Sequence, residues 1–349
     1  MNTYNKEKIK HTTKKYYYAG LFLIPFTVLF IMFFLIPFIK GITMSFYHYN
    51  IADPTDTYFV GFDNYINFLF QKEVPLEIGG IPVVDSEGKP MMVQNTSYYA
   101  FWYSLLYTIL FCLVIVPTSI ILPLFLAIGI KRKPYGYKLF RSLIYLPSIF
   151  AVSSTGAAFV YLFANNEVGF INNLFGTNIS WLNNQISAWF VIFLLCLYGI
   201  GGNFIIITAG LENVNKNLYE SAEIDGSNFW QKLRYVTLPG IKYQIIICTF
   251  TTIIGYMNLY GQNRVLTVGG PADFDHPERP GVTHSIIYVI QDYLTGSGKF
   301  SMAGKISAIA ICLGIIIAFI TAIQLFISRD KKGGDKYAKE FIEYEKNSN

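Results

Sequence analysis

The sequence predicts an all-α integral membrane protein with six transmembrane helices. Three observations carry that expectation: an apolar composition, six apolar stretches of spanning length, and basic residues gathered between alternate stretches. Of 349 residues, 53% are hydrophobic and only 14% charged, with a mean hydropathy of +0.39, too apolar for an ordinary soluble domain. A bilayer core about 30 Å thick takes roughly 20 apolar helical residues to cross, because each unpaired backbone group in hydrocarbon costs several kcal/mol.

Six stretches meet that length: 17–43, 101–130, 143–164, 187–211, 243–263 and 302–327. The first is read as a retained anchor, since its apolar run outlasts a signal peptide's and no small-x-small cleavage site follows it. The implied organisation is an N-terminal segment 1–16, a first span 17–43, an external segment 44–100, a core 101–327 that contains a polar loop 212–242, and a tail 328–349.

Orientation follows from Lys and Arg, which collect on the cytoplasmic side. Lys6, Lys8, Lys10, Lys14 and Lys15 precede the first stretch, and Lys131, Arg132, Lys133, Lys138 and Arg141 separate the second from the third. Lys216, Lys232, Arg234 and Lys242 lie in the polar loop, and six more bases lie in the tail. The opposite side offers Lys72 and Lys89 in the segment 44–100, then Arg264, Arg279 and Lys299. Both termini and the polar loop are therefore expected in the cytoplasm. The net charge of +5 is this topology signal and calls for no nucleic-acid partner.

Catalytic chemistry finds no foothold. Cys112, Cys196, Cys248 and Cys312 all fall inside the apolar stretches, where thiols fill space, so no disulfide framework or metal site is read from them. His11, His48, His276 and His284 show no ligand spacing. Gly296-Ser297-Gly298-Lys299 has a faint likeness to a phosphate loop, but it lacks the upstream glycine and has Phe300 where a magnesium-holding hydroxyl belongs.

The segment 44–100 holds VGFDNYINFLF, whose Asp/Asn start and apolar spacing predict a short helix. PLEIGGIPVVDSEGKPMMV then predicts turns with short strands. Either a cap that touches an external partner or a plain loop packed on the bundle fits this composition.

The polar loop reads as an elbow. Leu218, Tyr219, Ala222 and Asp225 lead in helical spacing to Gly226, where an Asp-Gly pair stops the helix because glycine tolerates the left-handed conformation. Phe229, Trp230, Leu233 and Val236 then recur at helical spacing, and Pro239 is expected to begin the next helix. Two readings fit: amphipathic helices lying on the membrane, or a surface that docks into another protein. Glu220, Glu223 and Asp225 disfavour the first.

This elbow resembles the EAA loop, E-A-A-x-x-x-G-x9-I-x-L-P, of the permease subunits of binding-protein-dependent ABC importers. Glu220-Ser221-Ala222 stands for E-A-A, Gly226 for the glycine, and Val236-Thr237-Leu238-Pro239 for I-x-L-P; Ser221 and Val236 are the departures. FVGFDNYINF, LFRSLIYLPSIF, GLENVNKNLYE and LTVGGP are similar to elements of sugar permeases related to MalF. The likeness runs over residues 17–327 and is weakest at 69–98, which has the look of an insertion, and at 272–282.

The resemblance implies a type I ABC importer permease fold in a bacterial plasma (inner) membrane, crossed several times. It implies a sugar or short oligosaccharide as cargo, a second homologous permease, an ABC ATPase dimer and an extracytoplasmic solute-binding protein. The elbow would dock on the ATPase as a coupling helix through Glu220, Ser221, Ala222, Asp225, Leu238 and Pro239, with Gly226 making the turn. This chain would bind no cofactor, ATP and Mg belonging to the partner ATPase. A sugar's many hydroxyls demand polar partners and aromatic faces along its route. Thr252, Tyr256, Leu259 and Asn263 fall at i, i+4, i+7 and i+11, one helical face, and the helix before the elbow offers Gly199, Gly202 and Asn203. The resemblance makes these the substrate path; helix packing by Gly and Asn explains the same residues equally well. A secondary transporter or channel that works alone is the rival reading, disfavoured because this seam carries no charge.

Overall fold

A computed structural model describes residues 20–21, 23–51, 53, 55–78, 81–272, 276–295 and 302–329. The basic segment 1–16, nearly all of the tail 328–349 and the stretch 296–299 lie outside the described residues. The chain divides into two compact units at Ile66/Asn67, Asp292/Tyr293 and Ile311/Cys312.

In the first unit, helix α1 (Leu23–Met44) is long and apolar enough to span, and none of its apolar window is buried within the chain. Phe26, Phe30, Phe34 and Phe38 stack along one face at i+4 spacing, 4.9–6.1 Å between rings. Strand β1 (Tyr47–His48) pairs antiparallel with β2 (Tyr58–Phe59). The Asn64 amide, in the first turn of α2 (Asp63–Phe70), donates to the Ser45 and Tyr47 carbonyls at 2.8 and 2.9 Å. A Cβ on Gly304 would collide with that Tyr47 carbonyl, so the close approach requires glycine.

In the second unit, β3 (Glu73–Pro75) pairs antiparallel with β6 (Met92–Gln94), and β4 (Glu77–Ile78) with β5 (Ile81–Pro82). Asp85 makes the expected Asp-x-x-Gly turn by accepting from the Glu87 and Lys89 amides at 2.8 and 3.0 Å. Asn95 caps α3 (Thr96–Lys131), accepting from the Ser97 amide at 3.1 Å. At 36 residues, this helix runs about 54 Å, well beyond the hydrocarbon core.

Two of the six expected spans, 143–164 and 187–211, are bent, and a third bend immediately precedes the expected span 243–263. Helix α4 (Tyr137–Tyr145) passes through a 3-10 turn, Leu146–Ile149, to meet α5 (Val152–Leu162) at 100°. After the short α6 (Phe170–Phe175), α7 (Gln185–Tyr198) meets α8 (Gly201–Glu212) at 44°. The elbow comprises α9 (Lys216–Ile224) and α10 (Phe229–Gly240), and α10 meets α11 (Lys242–Met257) at 73°. Helices α12 (Gly261–Leu266), α13 (Ile286–Thr295) and α14 (Ala303–Arg329) complete the described chain. α1, α3 and α14 are each long and apolar enough to span singly, and counting each bent pair as one span gives up to six.

Helices in lipid associate by close packing more than by water exclusion, so small residues set the contacts. A Cβ on Gly201 would lie 2.8 Å from Ser148 Oγ and 3.0 Å from the Ile144 carbonyl, and one on Gly210 2.7 Å from Gln244 Cγ. Around these approaches Ala127, Phe204, Ile207 and Cys248 are fully buried. Ile115, Val191 and Ile192 form a second buried cluster.

Candidate functional site

Two features stand out, a polar cavity within the helices and the elbow. The cavity has a volume of about 420 Å³, within the range of small-molecule sites. Of the seven residues expected on the substrate path, Gly199, Gly202, Asn203, Thr252, Tyr256 and Leu259 line it. Asn258, Tyr260 and Gln262 add an amide, a phenol and a second amide to its wall. No lining residue is charged.

Asn263 does not reach this cavity, which corrects the single-face reading. Helix α11 ends at Met257, the chain turns through Asn258–Tyr260, and a new helix starts at Gly261. The i+11 position therefore leaves the face. Asn263 is fully buried and its side-chain Nδ2 donates to the Thr283 carbonyl at 2.6 Å, while its backbone carbonyl accepts from the Thr267 amide at 3.1 Å. It secures the loop that follows, where Val268, Gly269 and Gly270 all take positive φ. Leu259 reaches the cavity while also packing in the core, at 4% exposure.

The wall at Asn203 has a specific cause. Pro123 lies inside α3 and has no N–H to offer the carbonyl four residues back, that of Ser119. An unpaired carbonyl at this depth is costly. Asn203 Nδ2 donates to it at 2.9 Å and also to Thr252 Oγ1 at 2.9 Å, joining α3, α8 and α11 through one amide. Ser119 was not among the residues expected here. The signal was present four residues before an intrahelical proline.

Tyr256 donates to the Cys196 carbonyl at 3.5 Å and meets Phe111 edge-on, ring centroids 5.9 Å apart. Its ring is thereby held at the cavity wall. Fixed amides, a hydroxyl and aromatic rings with no fixed charge suit a neutral polyhydroxylated solute.

The elbow folds as its sequence dictates. Gly226 sits at φ +70°; its amide donates to the Glu223 carbonyl at 3.0 Å and the Ser227 amide to the Ala222 carbonyl at 2.9 Å, a complete Schellman stop for α9. Asn228 and Gln231 then form a reciprocal capping box at the start of α10. Lys232 Nζ pairs with Glu223 at 2.9 Å, and the Tyr219 and Thr237 hydroxyls lie 3.1 Å apart, so the two arms are cross-braced. Glu220, Ser221, Asp225, Gly226 and Pro239 are exposed, while Ala222 and Leu238 are half-buried.

Pro239 differs from expectation. It lies in the last turn of α10, after a widened π turn at Leu233–Thr237, and the spanning helix begins only at Lys242. Proline cannot donate to the Tyr235 carbonyl, so the regular ladder fails there. A Cβ on Gly240 would lie 2.8 Å from Val214 Cγ2, and Ile241 is fully buried, which makes the 73° bend a packed corner.

Residues 91–333 match the family described as "Binding-protein-dependent transport system inner membrane component". The arabinooligosaccharides transport system permease protein AraP of Bacillus subtilis (strain 168) is 29% identical over 319 residues, covering 90% of this chain and 89% of AraP. The trehalose/maltose transport system permease protein MalF of Thermococcus litoralis is 24% identical over 329 residues, covering 93% of this chain and 97% of MalF. A chain in the crystal structure of a bacterial alginate ABC transporter in complex with an alginate pentasaccharide-bound periplasmic protein superposes with a TM-score of 0.68. It is 18% identical, covering 91% of this chain and 96% of that one.

Proposed function

This chain belongs to the family of binding-protein-dependent transport system inner membrane components, and from that premise we propose that it passes a sugar or short oligosaccharide through the membrane. As a family member it is a transport component, not a catalyst. The observation that carries the proposal of a carbohydrate cargo is the uncharged cavity of about 420 Å³ in which six residues of the expected substrate path converge. Hydroxyl-rich solutes need donors and acceptors on several sides, and Asn203, Thr252, Asn258 and Gln262 supply them around the Tyr256 ring.

The elbow supplies the means of driving the cavity. A capped, cross-braced pair of helices transmits displacement that a floppy loop would absorb. Glu220 and Ser221 present their side chains outward on its first arm. In this reading an ABC ATPase dimer, which binds ATP and Mg, grips the elbow in the cytoplasm; a second permease completes the pathway, and an external solute-binding protein delivers the cargo. Both termini lie in the cytoplasm, in accord with the basic segments.

Reconstitution tests this. Proteoliposomes holding this chain with its second permease, ATPase and solute-binding protein should accumulate labelled oligosaccharide only when ATP is present. Uptake by this chain alone, driven by a solute or ion gradient, would instead establish the stand-alone transporter.

A further inference from the structure

Behind the elbow lies a second cavity of about 350 Å³, walled by the end of α3 and by both elbow arms. Its charge is unbalanced. Lys131, Arg132, Lys216 and Lys232 line it against only Glu220 and Glu223. Lys232 is paired with Glu223 at 2.9 Å, and Lys131 Nζ donates to the Leu211 carbonyl at 3.0 Å while standing 4.1 Å above the Tyr219 ring. The exposed side chains of Arg132 and Lys216 make no hydrogen bond or ion pair among the described residues.

The apolar side of the cavity is equally directional. Phe125, Ile128 and Arg132 fall at i, i+3 and i+7 on α3 and so share one face. Phe125 meets Trp230 edge-on, rings 6.4 Å apart, with both side chains exposed, and Phe229 and Ile128 continue the apolar wall inward. The surface thus grades from exposed aromatic rings to free bases over two turns of helix. Tryptophan at such a boundary is characteristic of the membrane–water interface, and basic pockets there take anionic head groups.

We propose that this cavity holds the phosphate head group of one anionic phospholipid, with an acyl chain lying along Phe125 and Trp230. Arg132 and Lys216 hold the phosphodiester, and the lipid fills the space between the elbow and α3. A head group seated there stiffens the same elbow that the proposed function assigns to coupling. The inference rests on that reading for the leaflet it draws from, but binding itself requires neither the ATPase nor a defined orientation.

Quenching by brominated lipids tests it on the full chain in detergent micelles. Phosphatidylglycerol and phosphatidylcholine, each brominated on the acyl chains, are titrated against the intrinsic fluorescence, and the Trp230 contribution is taken by difference from Trp230→Phe. The expected result is saturable quenching of Trp230 at roughly 25-fold lower phosphatidylglycerol than phosphatidylcholine. R132Q/K216Q should erase that preference, each base contributing roughly fivefold near an anionic surface. Both substitutions sit on exposed positions, so folding is not at stake. Equal quenching by the two lipids overturns the proposal, as does a preference that survives R132Q/K216Q. Complete displacement of the lipid by millimolar inorganic phosphate would also overturn it, marking a site for soluble anions. Loss of ATPase binding to the elbow would count against the coupling assignment and leave this result untouched.

Discussion

Asn203 Nδ2 donates a 2.9 Å hydrogen bond to Thr252 Oγ1 in the wall of the polar cavity, joining helix α8 to α11. The same amide satisfies the Ser119 carbonyl at 2.9 Å. One side chain therefore both shapes the wall and repairs the ladder that Pro123 breaks. Asn203→Leu removes both bonds; the expected cost is about 1–3 kcal/mol, together with loss of uptake. A double-mutant cycle with Thr252→Val, read by unfolding in mixed micelles, should give a coupling of about 0.6–1.7 kcal/mol, as for other polar pairs between membrane helices. Additive effects would show that the contact carries no energy.

Pro123 makes a conditional prediction. Pro123→Ala restores an N–H to the Ser119 carbonyl, so Asn203→Leu should cost about 1 kcal/mol less in that background than in the wild type. The same cycle measures it. An undiminished cost would mean that Asn203 does not serve the proline-freed carbonyl.

Gly201 and Gly202 are neighbours with opposite expected outcomes. A Cβ at Gly201 meets Ser148 and the Ile144 carbonyl at 2.8 and 3.0 Å, whereas one at Gly202 meets nothing within 4 Å. Gly201→Ala should destabilise by about 1–3 kcal/mol, as overpacking does. Gly202→Ala should fold normally and raise the concentration of sugar needed for half-maximal uptake, because the methyl enters the cavity. Thermal unfolding and uptake kinetics on both variants separate the two.

Gly226 is needed for its backbone alone, since its φ is +70° and no atom lies within 4 Å of a Cβ there. Gly226→Ala should cost about 1 kcal/mol and Gly226→Asn less, because asparagine tolerates the left-handed region. Gly226→Val should be the worst of the three in both stability and uptake. A reversed order would place the constraint elsewhere in the turn.

Much of this architecture was legible in the sequence. The three single spans, the apolar stretches that make the bent pairs, and the short helix at Asp63 follow from hydropathy and spacing, and the elbow's stop at Gly226 follows from the Asp-Gly pair. The bends were not, because hydropathy measures length and cannot register direction. Residues 143–164 read as one apolar run, yet the chain turns through 100° between Ile149 and Val152. The same blindness misplaced Asn263: periodicity carried past Met257 assumes a helix that stops there. The expectation at Pro239 failed for a related reason, since proline suits a helix start as well as the disrupted last turn it occupies. Where a residue's role depended on a local rule, such as glycine in a left-handed turn, the sequence sufficed. Where it depended on which helix stood opposite, as for Asn203 and Ser119, only the tertiary structure decided.

Glu220 tests the elbow's surface chemistry. Its side chain is exposed on α9, so Glu220→Lys should change stability by less than about 0.5 kcal/mol, as most exposed substitutions do. It should nonetheless abolish ATP-driven uptake and co-purification of the ATPase. Normal uptake by this variant would remove Glu220 from the docking surface.

Cross-linking at Ser221 measures the central claim most directly. Ser221→Cys, beside Glu220 on the exposed arm, is labelled with a photoactivatable cross-linker in the assembled complex. The account predicts a covalent product between this chain and the ATPase that disappears when the ATPase is omitted. A complex that hydrolyses ATP and moves sugar while position 221 captures only lipid or solvent would contradict it.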